Sequence, residues 1–421
     1  MSLRVGIIGA GIGGLSAAIG LRRAGAQVEI FERSTFTNEV GAALTITPNG
    51  SRILDSWGFD AVKAGIVEAV NMRIVHAHSL ENASVEDFST LQREFGATMG
   101  FYHRVDLHSR LREMAESSDA QPGEAVAINL GNGVVDVDCA TGVLALADGT
   151  EVTKDLVVIA DGIKSNFVSK VTGKEEPARD MGWSAYRCLI PMEDIMNDEH
   201  TRAIFENQPP GYWAPFYIPK AFYLVSYPCR DNKTLNIVLR HTTQPQDNGK
   251  VDWHTPATHD DVLALMKDYH PSLSHVIKKA PDIKMYKLLR REPLETYSRG
   301  RAVLLGDAAH TVLPIHAQGA VMAIEEAAAL ELLFKGVTDP NLVASRLELY
   351  GKVLKKHIHV NQYLGDTVPG FHDHYRQKAE EVWGDGLFPY TAYNFTAPVR
   401  QFFYSYDVRH EITKGMEEAG L

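Results

Sequence analysis

Three carboxylates, Glu32, Asp161 and Asp307, each stand at the end of a strand-like apolar run and close to glycine or other small residues. A carboxylate so placed accepts hydrogen bonds from a ligand's hydroxyl groups, and small neighbours let that ligand lie against backbone. The first acid belongs to the fullest pattern. Residues 4–8 read as a strand, Gly9-Ala10-Gly11-Ile12-Gly13-Gly14 follows, a helix runs through Arg22, and a second strand over 27–31 is closed by Glu32. Gly9 permits the tight turn, Gly11 lets backbone approach a pyrophosphate, and Gly14 lets the helix pack on the strand, while the helix N-terminus offers free N–H groups to phosphates. Glu32 then accepts from a ribose hydroxyl, and its charge argues against a 2′-phosphate at this site. The nucleotide this unit holds is NAD or FAD.

The other two acids need the same sheet to present them. Ala160-Asp161-Gly162-Ile163-Lys164-Ser165 follows a nearly uninterrupted apolar run over 155–159, and Gly306-Asp307-Ala308-Ala309-His310-Thr311-Val312-Leu313-Pro314 follows another over 302–305. Such runs are buried in parallel sheets. Ligands of open α/β sheets bind at the carboxyl ends of the strands, so the three motifs converge on one crevice, with Asp307 accepting from a ribose or ribityl hydroxyl. Gly41 and the small Ala42-Ala43 suggest close approach to the ligand ahead of a helix over 50–57. Residues 101–117 carry Tyr102-His103-Arg104-Val105-Asp106-Leu107 and then helical spacing, and Gly131-Asn132-Gly133 punctuates two alternating runs that read as a small hairpin insertion.

From about 175 to 285 the texture changes to strand-length segments rich in aromatic and β-branched residues, over 183–187, 222–227 and 235–239. These predict a mostly antiparallel second domain. An alanine-rich helix is expected over 320–334, and the last 85 or so residues read as helical to Leu364, then irregular, with Trp383, Phe388, Tyr390, Phe402, Phe403, Tyr404 and Tyr406 as packing aromatics. The fold class is therefore α/β. A Rossmann-type nucleotide domain, discontinuous over 1–75, 100–174 and 286–335, carries an inserted, mostly antiparallel β-sheet substrate domain over 76–99 and 175–285, and a C-terminal helical and aromatic segment occupies 336–421.

Composition narrows the function classes. With 42 lysines and arginines against 53 acids the net charge is −11, which disfavours a phosphate-backbone binder, so nucleic acid is excluded as a partner. Cys139, Cys188 and Cys229 show no CxxC spacing, so neither a disulfide framework nor a metal site is expected. The first strand starts almost at residue 1 and no stretch approaches eighteen apolar residues, which predicts no signal peptide, no membrane span and a soluble, cytoplasmic protein.

Taken together, the glycine-rich turn, Asp161-Gly162, Gly306-Asp307, Arg104-Val105-Asp106-Leu107, and Ala317-Gln318-Gly319-Ala320 running into 323–327 resemble, in order and spacing, the single-component FAD-dependent aromatic hydroxylases. That group contains salicylate and para-hydroxybenzoate hydroxylases, and the resemblance spans nearly the whole chain. It implies FAD as cofactor, with Glu32 on the adenosine ribose and Arg33 beside it, Ala43 near the ligand, and Arg104 reaching the pyrophosphate region. Asp307 would hold the ribityl chain, Asp161 would serve FAD and the reduced nicotinamide, and Gly319 and Ala320 would place N–H groups beside the isoalloxazine ring. It implies reduction by NADH or NADPH as transient co-substrate, reaction with O2, and oxygen transfer from a C4a-hydroperoxyflavin to an electron-rich, phenolic or salicylate-like ring, in a chemistry whose hard steps belong to the cofactor. Decarboxylation would accompany hydroxylation of a salicylate.

The sequence departs from the family at Thr311, where many relatives have proline, and at Ala43, where a second glycine is common. Ile315 separates Pro314 from His316, so the role of the histidine that directly follows proline in salicylate hydroxylases does not transfer. A cation near a phenolic oxygen favours the electron-rich phenolate, and the resemblance to the Tyr-Arg element of fungal phenol hydroxylases makes Arg187, with Tyr217, the catalytic candidates. His241 is a weaker pocket candidate. His310 is expected to be a scaffold hydrogen-bonder, and Glu325 and Glu326 a helix-face salt bridge or solvated charges. An indole or alkaloid epoxidase and a flavin-dependent reductase on the same fold are the alternatives, and the intact motifs argue against a non-catalytic flavin-binding protein. The expected partners are a small aromatic substrate, O2 and NAD(P)H; the oligomeric state stays open, a homodimer included.

Overall fold

The computed structural model describes residues 2–36, 42–119, 121–218, 223–244, 255–367, 372–392 and 394–421. Gly41 and Phe222, singled out above, lie outside them. Five of the apolar runs become the parallel strands of a six-stranded sheet, in the order Ser298–Arg299, Ala302–Leu304, Leu156–Ile159, Arg4–Ile8, Gln27–Glu32, Ala127–Leu130, and only the two-residue edge strand is antiparallel. All four residues of Leu156–Ile159 are buried, as a strand covered on both faces requires. The helix Ile12–Arg23 packs on the helix Gly319–Phe334 through small residues. A Cβ on Gly20 would come within 2.7 Å of the Ala327 carbonyl oxygen, so glycine sets how closely these two helices approach.

The run before Gly131 is not a hairpin arm. Ala127–Leu130 extends the parallel sheet beside Gln27–Glu32, and the inserted antiparallel sheet is built one run later from Val134–Asp138, Val143–Leu146 and Glu151–Thr153. Alternation alone does not say which neighbour a strand will find. Gly131, at a left-handed φ of 74°, is where the chain leaves the parallel sheet.

The second sheet has eight strands, ordered Thr255–Ala257, Ile283–Arg290, Arg179–Pro191, Thr234–Thr242, Tyr223–Cys229, Tyr212–Tyr217, Asn71–His76, Asn82–Asp87. All neighbours are antiparallel except Tyr212–Tyr217 beside Asn71–His76. It takes in residues from 71 rather than 76 and runs past 285 to Arg290. Between 76 and 99, the segment after Asp87 leaves this sheet, and Gly100–His103 pairs instead with Ala43–Ile46 and Val67–Glu68. The crossing point is a backbone feature, hidden from apolar patterning: Gly211, φ 77°, lies so close to the Glu68 carbonyl that a Cβ there would sit 1.8 Å from its oxygen.

Strand alternation gives this sheet two faces. On the back, Tyr186, Ile190, Leu224, Ile237 and Leu239 join a core with the helix Pro271–Lys278. On the front, Ala185, Tyr286, Leu288, Trp183 and Val238 pack against Leu313 and Ile315, in the loop just beyond Asp307. Beyond the long helix Val343–Gly365, the segment expected to be irregular forms the helices His372–Trp383, Ala397–Tyr404 and Val408–Glu418. Its aromatics pack on one another, with Phe402 edge-on to Trp383, Phe388 and Phe403. Among the described residues no helix is long and apolar enough to cross a membrane.

Candidate active site

The glycine-rich turn is shaped for a ligand that is itself no part of the chain. Gly9, φ 97°, donates its N–H to Phe31 O at 2.9 Å, and a Cβ there would lie 2.6 Å from Ala160 O. A Cβ on Gly14 would lie 2.0 Å from Gly9 O, whereas one on Gly11 would meet nothing within 4 Å. Two of the glycines are thus demanded by the protein's own packing, and the third keeps a space clear. Gly11 caps the helix Ile12–Arg23 without a side-chain hydrogen bond, so first-turn N–H groups stay available to an anion. Glu32 stands at the same turn, accepting from Ala10 N–H at 2.8 Å and Ser34 N–H at 2.7 Å. Those bonds fix its carboxylate and leave lone pairs for a sugar hydroxyl. Arg33 is exposed beside it.

Asp161 ends the neighbouring strand. Its Oδ1 is buried without a hydrogen-bond partner, and burial pushes the carboxyl pKa up to about 6, against Ser165 and the charges of Arg33 and Arg291. Gly162, φ 87°, has open space where a Cβ would stand. An unspent buried acceptor next to a clear space suits a ligand hydroxyl. Asp307 sits in the turn Gly306–Ala308 and is the only exposed residue between Ala302 and Leu313. Although its outer surface is open, the crevice walls desolvate its carboxylate and push the pKa up, opposed by His310, Arg291 and Arg104.

The turn that presents Asp307 is held from below by Glu326, whose two carboxylate oxygens accept from Gly306 N–H and His310 Nε2–H, both at 2.7 Å. Burial works against a charged His310, but the Glu326 carboxylate outweighs it and raises the pKa. His310 is the scaffold group the sequence suggests; Glu326 is not a solvated charge, being 2% exposed. Glu325 is equally buried, accepting from Asn49 Nδ2 at 2.8 Å and His357 Nε2 at 3.0 Å. Asn49 and Thr47 bond Gln318, which precedes Gly319 and Ala320 at the start of the helix Gly319–Phe334. A helix buried on all sides carries its charges inward, and each needs a partner.

Ala43 pairs with His103 across two strands, its carbonyl accepting from Tyr227 Oη at 3.1 Å, and Arg104 begins the next helix with its N–H on Ala42 O at 2.7 Å. Asp106 makes a two-pronged ion pair with Arg230, at 2.6 and 2.8 Å, tying this helix to a turn of the second sheet. Arg291, 3% exposed, acts electrostatically on both Asp161 and Asp307 and is not among the candidates the sequence offers. Nothing in its neighbours marks it, since its meaning comes from the two acids it meets.

On the front face, Arg187 lies 5.2 Å over the Tyr286 ring, and its charge acts on Tyr227. Tyr217 is not brought to it. The two strands are three positions apart, about 14 Å at ~4.8 Å per strand, and Tyr217 Oη bonds His76 Nε2 at 3.2 Å. In its place stands Arg240, held between the rings of Trp183 at 4.9 Å and Tyr223 at 4.8 Å, without an ion pair among the described residues and with its Nε buried and unbonded. Burial lowers its pKa. Parity could have revealed Arg240: Leu235, Ile237 and Leu239 all face back, so Arg240 faces front and His241 back. His241 does face back, stacked on Tyr186 at 4.6 Å. His316 is buried against Phe403 and bonds Leu364 O at 3.1 Å, with burial lowering its pKa to about 4. It is neutral at pH 7.

The family model for the FAD binding domain matches residues 2–354. The chain is 34% identical to the FAD-dependent monooxygenase cfoG of Aspergillus candidus, over 99% of this chain and 95% of that protein. It is 32% identical to 3-hydroxybenzoate 6-hydroxylase 1 of Aquipseudomonas alcaligenes, over 82% and 83%, and 29% identical to hispidin-3-hydroxylase of Neonothopanus nambi, over 84% and 85%. Two solved structures share the fold: CtdE in complex with FAD and a substrate (TM-score 0.82, 20% identity, 99% and 98% covered) and a salicylate hydroxylase substrate complex (0.75, 21%, 98% and 98%). The open space at Gly11 and the unspent Asp161 acceptor fit FAD as the group the three acids receive. The chain belongs to the FAD binding domain family, and within it to the FAD-dependent monooxygenases of the aromatic-hydroxylase type.

Proposed function

We propose that this enzyme hydroxylates an acidic phenolic small molecule, using O2 and NAD(P)H, beneath the front face of the eight-stranded sheet. Bound FAD supplies hydride acceptance and oxygen activation. The residues of the chain supply the rest. Glu32, with Arg33 beside it, and the first-turn N–H groups hold the adenosine and pyrophosphate end, with Arg104 near the phosphates; Asp161, Asp307 and the N–H groups of Gly319 and Ala320 hold the remainder. The single observation that carries the substrate reading is Arg240, a buried cation whose two faces are covered by rings and whose in-plane N–H donors face no carboxylate among the described residues. Arg187 and Arg240 are diagonal neighbours across one strand pair, about 7–8 Å apart at Cα, on the same face of the sheet.

Arg187 would hold a phenolic oxygen as phenolate, which enriches the ring toward an electrophilic oxygen, and Arg240 a second acidic oxygen of the same molecule. Trp183, Val238, Leu313 and Ile315 would exclude water above the ring. Relatives named for 3-hydroxybenzoate and hispidin support a phenolic substrate. The test is NADH or NADPH oxidation with oxygen uptake, measured against phenolic acids, their methyl esters and indoles. Arg187→Ala should retain FAD and lose substrate-stimulated turnover by at least ~100-fold; wild-type turnover in that variant removes Arg187 from the chemistry, and substrate reduction without oxygen uptake favours a reductase.

A further inference from the structure

The back face of the eight-stranded sheet carries a cavity of about 150 Å³ between Ala214 and Phe216 of the sheet and Ile204 and Phe205 of the helix Glu199–Phe205. Arg73 and Gln208 line it too. The crevice lies on the other side: Met72 and Trp213, which alternate with Arg73 and Ala214, belong to the front-face packing. A space of about 150 Å³ is large enough for one six-membered ring.

Two polar groups of this cavity are unspent. Arg73 forms no ion pair among the described residues, and its Nε is buried with no acceptor. Gln208 donates its amide N–H to Ile204 O at 3.2 Å, while its Oε1 is buried with no donor. Each such group keeps its desolvation penalty while it is unsatisfied. A donor and an acceptor that border one ring-sized space and are not bonded to each other call for a ligand that brings the complement of both.

We propose that this cavity is a second binding site, separate from the crevice, for a one-ring hydroxylated aromatic acid. Its carboxylate accepts from Arg73, its ring lies against Phe205 and Phe216, and its hydroxyl donates to Gln208 Oε1. Occupancy satisfies both groups and fills the space between the helix and the strands Asn71–His76 and Tyr212–Tyr217, in the same sheet that carries Arg187 and Arg240 on its other face. This site stands independently of the hydroxylase reading.

The test is calorimetric titration of the FAD-loaded, full-length protein with 3-hydroxybenzoate, beside a titration followed by flavin absorbance, which reports only the crevice. Calorimetry should find one equivalent more than the flavin reports. Arg73→Leu and Gln208→Leu should each lose that equivalent while keeping the wild-type flavin spectrum and flavin-reported titration. Equal stoichiometry by the two methods in the wild type, as for a cavity holding only water, overturns the proposal, and so does an extra equivalent that survives both substitutions. An empty crevice with one calorimetric equivalent lost in the variants supports the second site even if the hydroxylase reading fails.

Discussion

Alanine has opposite meanings at Gly14 and Gly11. At Gly14 the added methyl would lie 2.0 Å from a backbone oxygen, so Gly14→Ala should cost several kcal/mol of stability with or without FAD. At Gly11 it enters open space, so the apoprotein should melt within about 0.5 kcal/mol of wild type while FAD affinity falls at least ~10-fold. Apoprotein melts and a flavin fluorescence titration separate the two, and unchanged FAD binding in Gly11→Ala would take this turn out of the site. Asp161 makes a pH prediction. Its pKa is raised from 3.8 to about 6 by burial, so the native apoprotein binds this proton more tightly than the unfolded chain. The resulting stability is fully present below pH 3.8 and is lost as the pH rises through 6, on the order of 1 kcal/mol after allowance for partial exposure. Asp161→Asn should flatten the apoprotein's stability across that window; a slope equal to wild type would mean that Asp161 is not desolvated. The glycines and the three acids are legible in the sequence because neighbours in the chain define them. Arg291 is not, because only the fold brings it to both Asp161 and Asp307, and Arg240 is legible only through the parity of its strand, which needs the back-facing Leu235, Ile237 and Leu239 to be recognised first.

At the scale of elements, the helix Gly319–Phe334 shows how charge misleads. Glu325 and Glu326 read as a helix-face salt bridge or solvated charges on a helix that the fold buries on all sides, and the partners that make this tolerable, His357, Asn49, His310 and the Gly306 N–H, come from three other segments. Glu326→Leu strips two buried donors of their acceptor and should destabilise the protein by about 3 kcal/mol, with weaker FAD binding because the Asp307 turn loses its support. A change below ~0.5 kcal/mol in denaturant unfolding would restore the solvated reading. The same limit explains the strand after residue 126: its apolar content was readable, but whether it joined a hairpin or the parallel sheet was decided by the turn at Gly131 and by the vacant edge beside Gln27–Glu32.

The whole molecule packs the front face of the second sheet against Leu313 and Ile315, in the loop that follows Asp307 at the carboxyl end of the first sheet. The nucleotide half of this arrangement was legible, because a parallel sheet gathers its strand ends at one edge. The other half was not: pairing Arg187 with Tyr217 required knowing that two strands lie between theirs, and the sequence orders strands only along the chain. If the two arginines share one acidic phenolic ligand, Arg240→Met should weaken a phenolic acid ~100-fold in Kd and its methyl ester much less, read from flavin absorbance changes; equal losses would assign Arg240 to packing.

The most direct test of the central claim is turnover under ¹⁸O2 with NAD(P)H and an acidic phenol, following product mass and the ratio of oxygen to nicotinamide consumed. The account predicts one labelled oxygen atom in the product for each O2 and each NAD(P)H used. Product without label, or substrate reduced while oxygen is untouched, would contradict it.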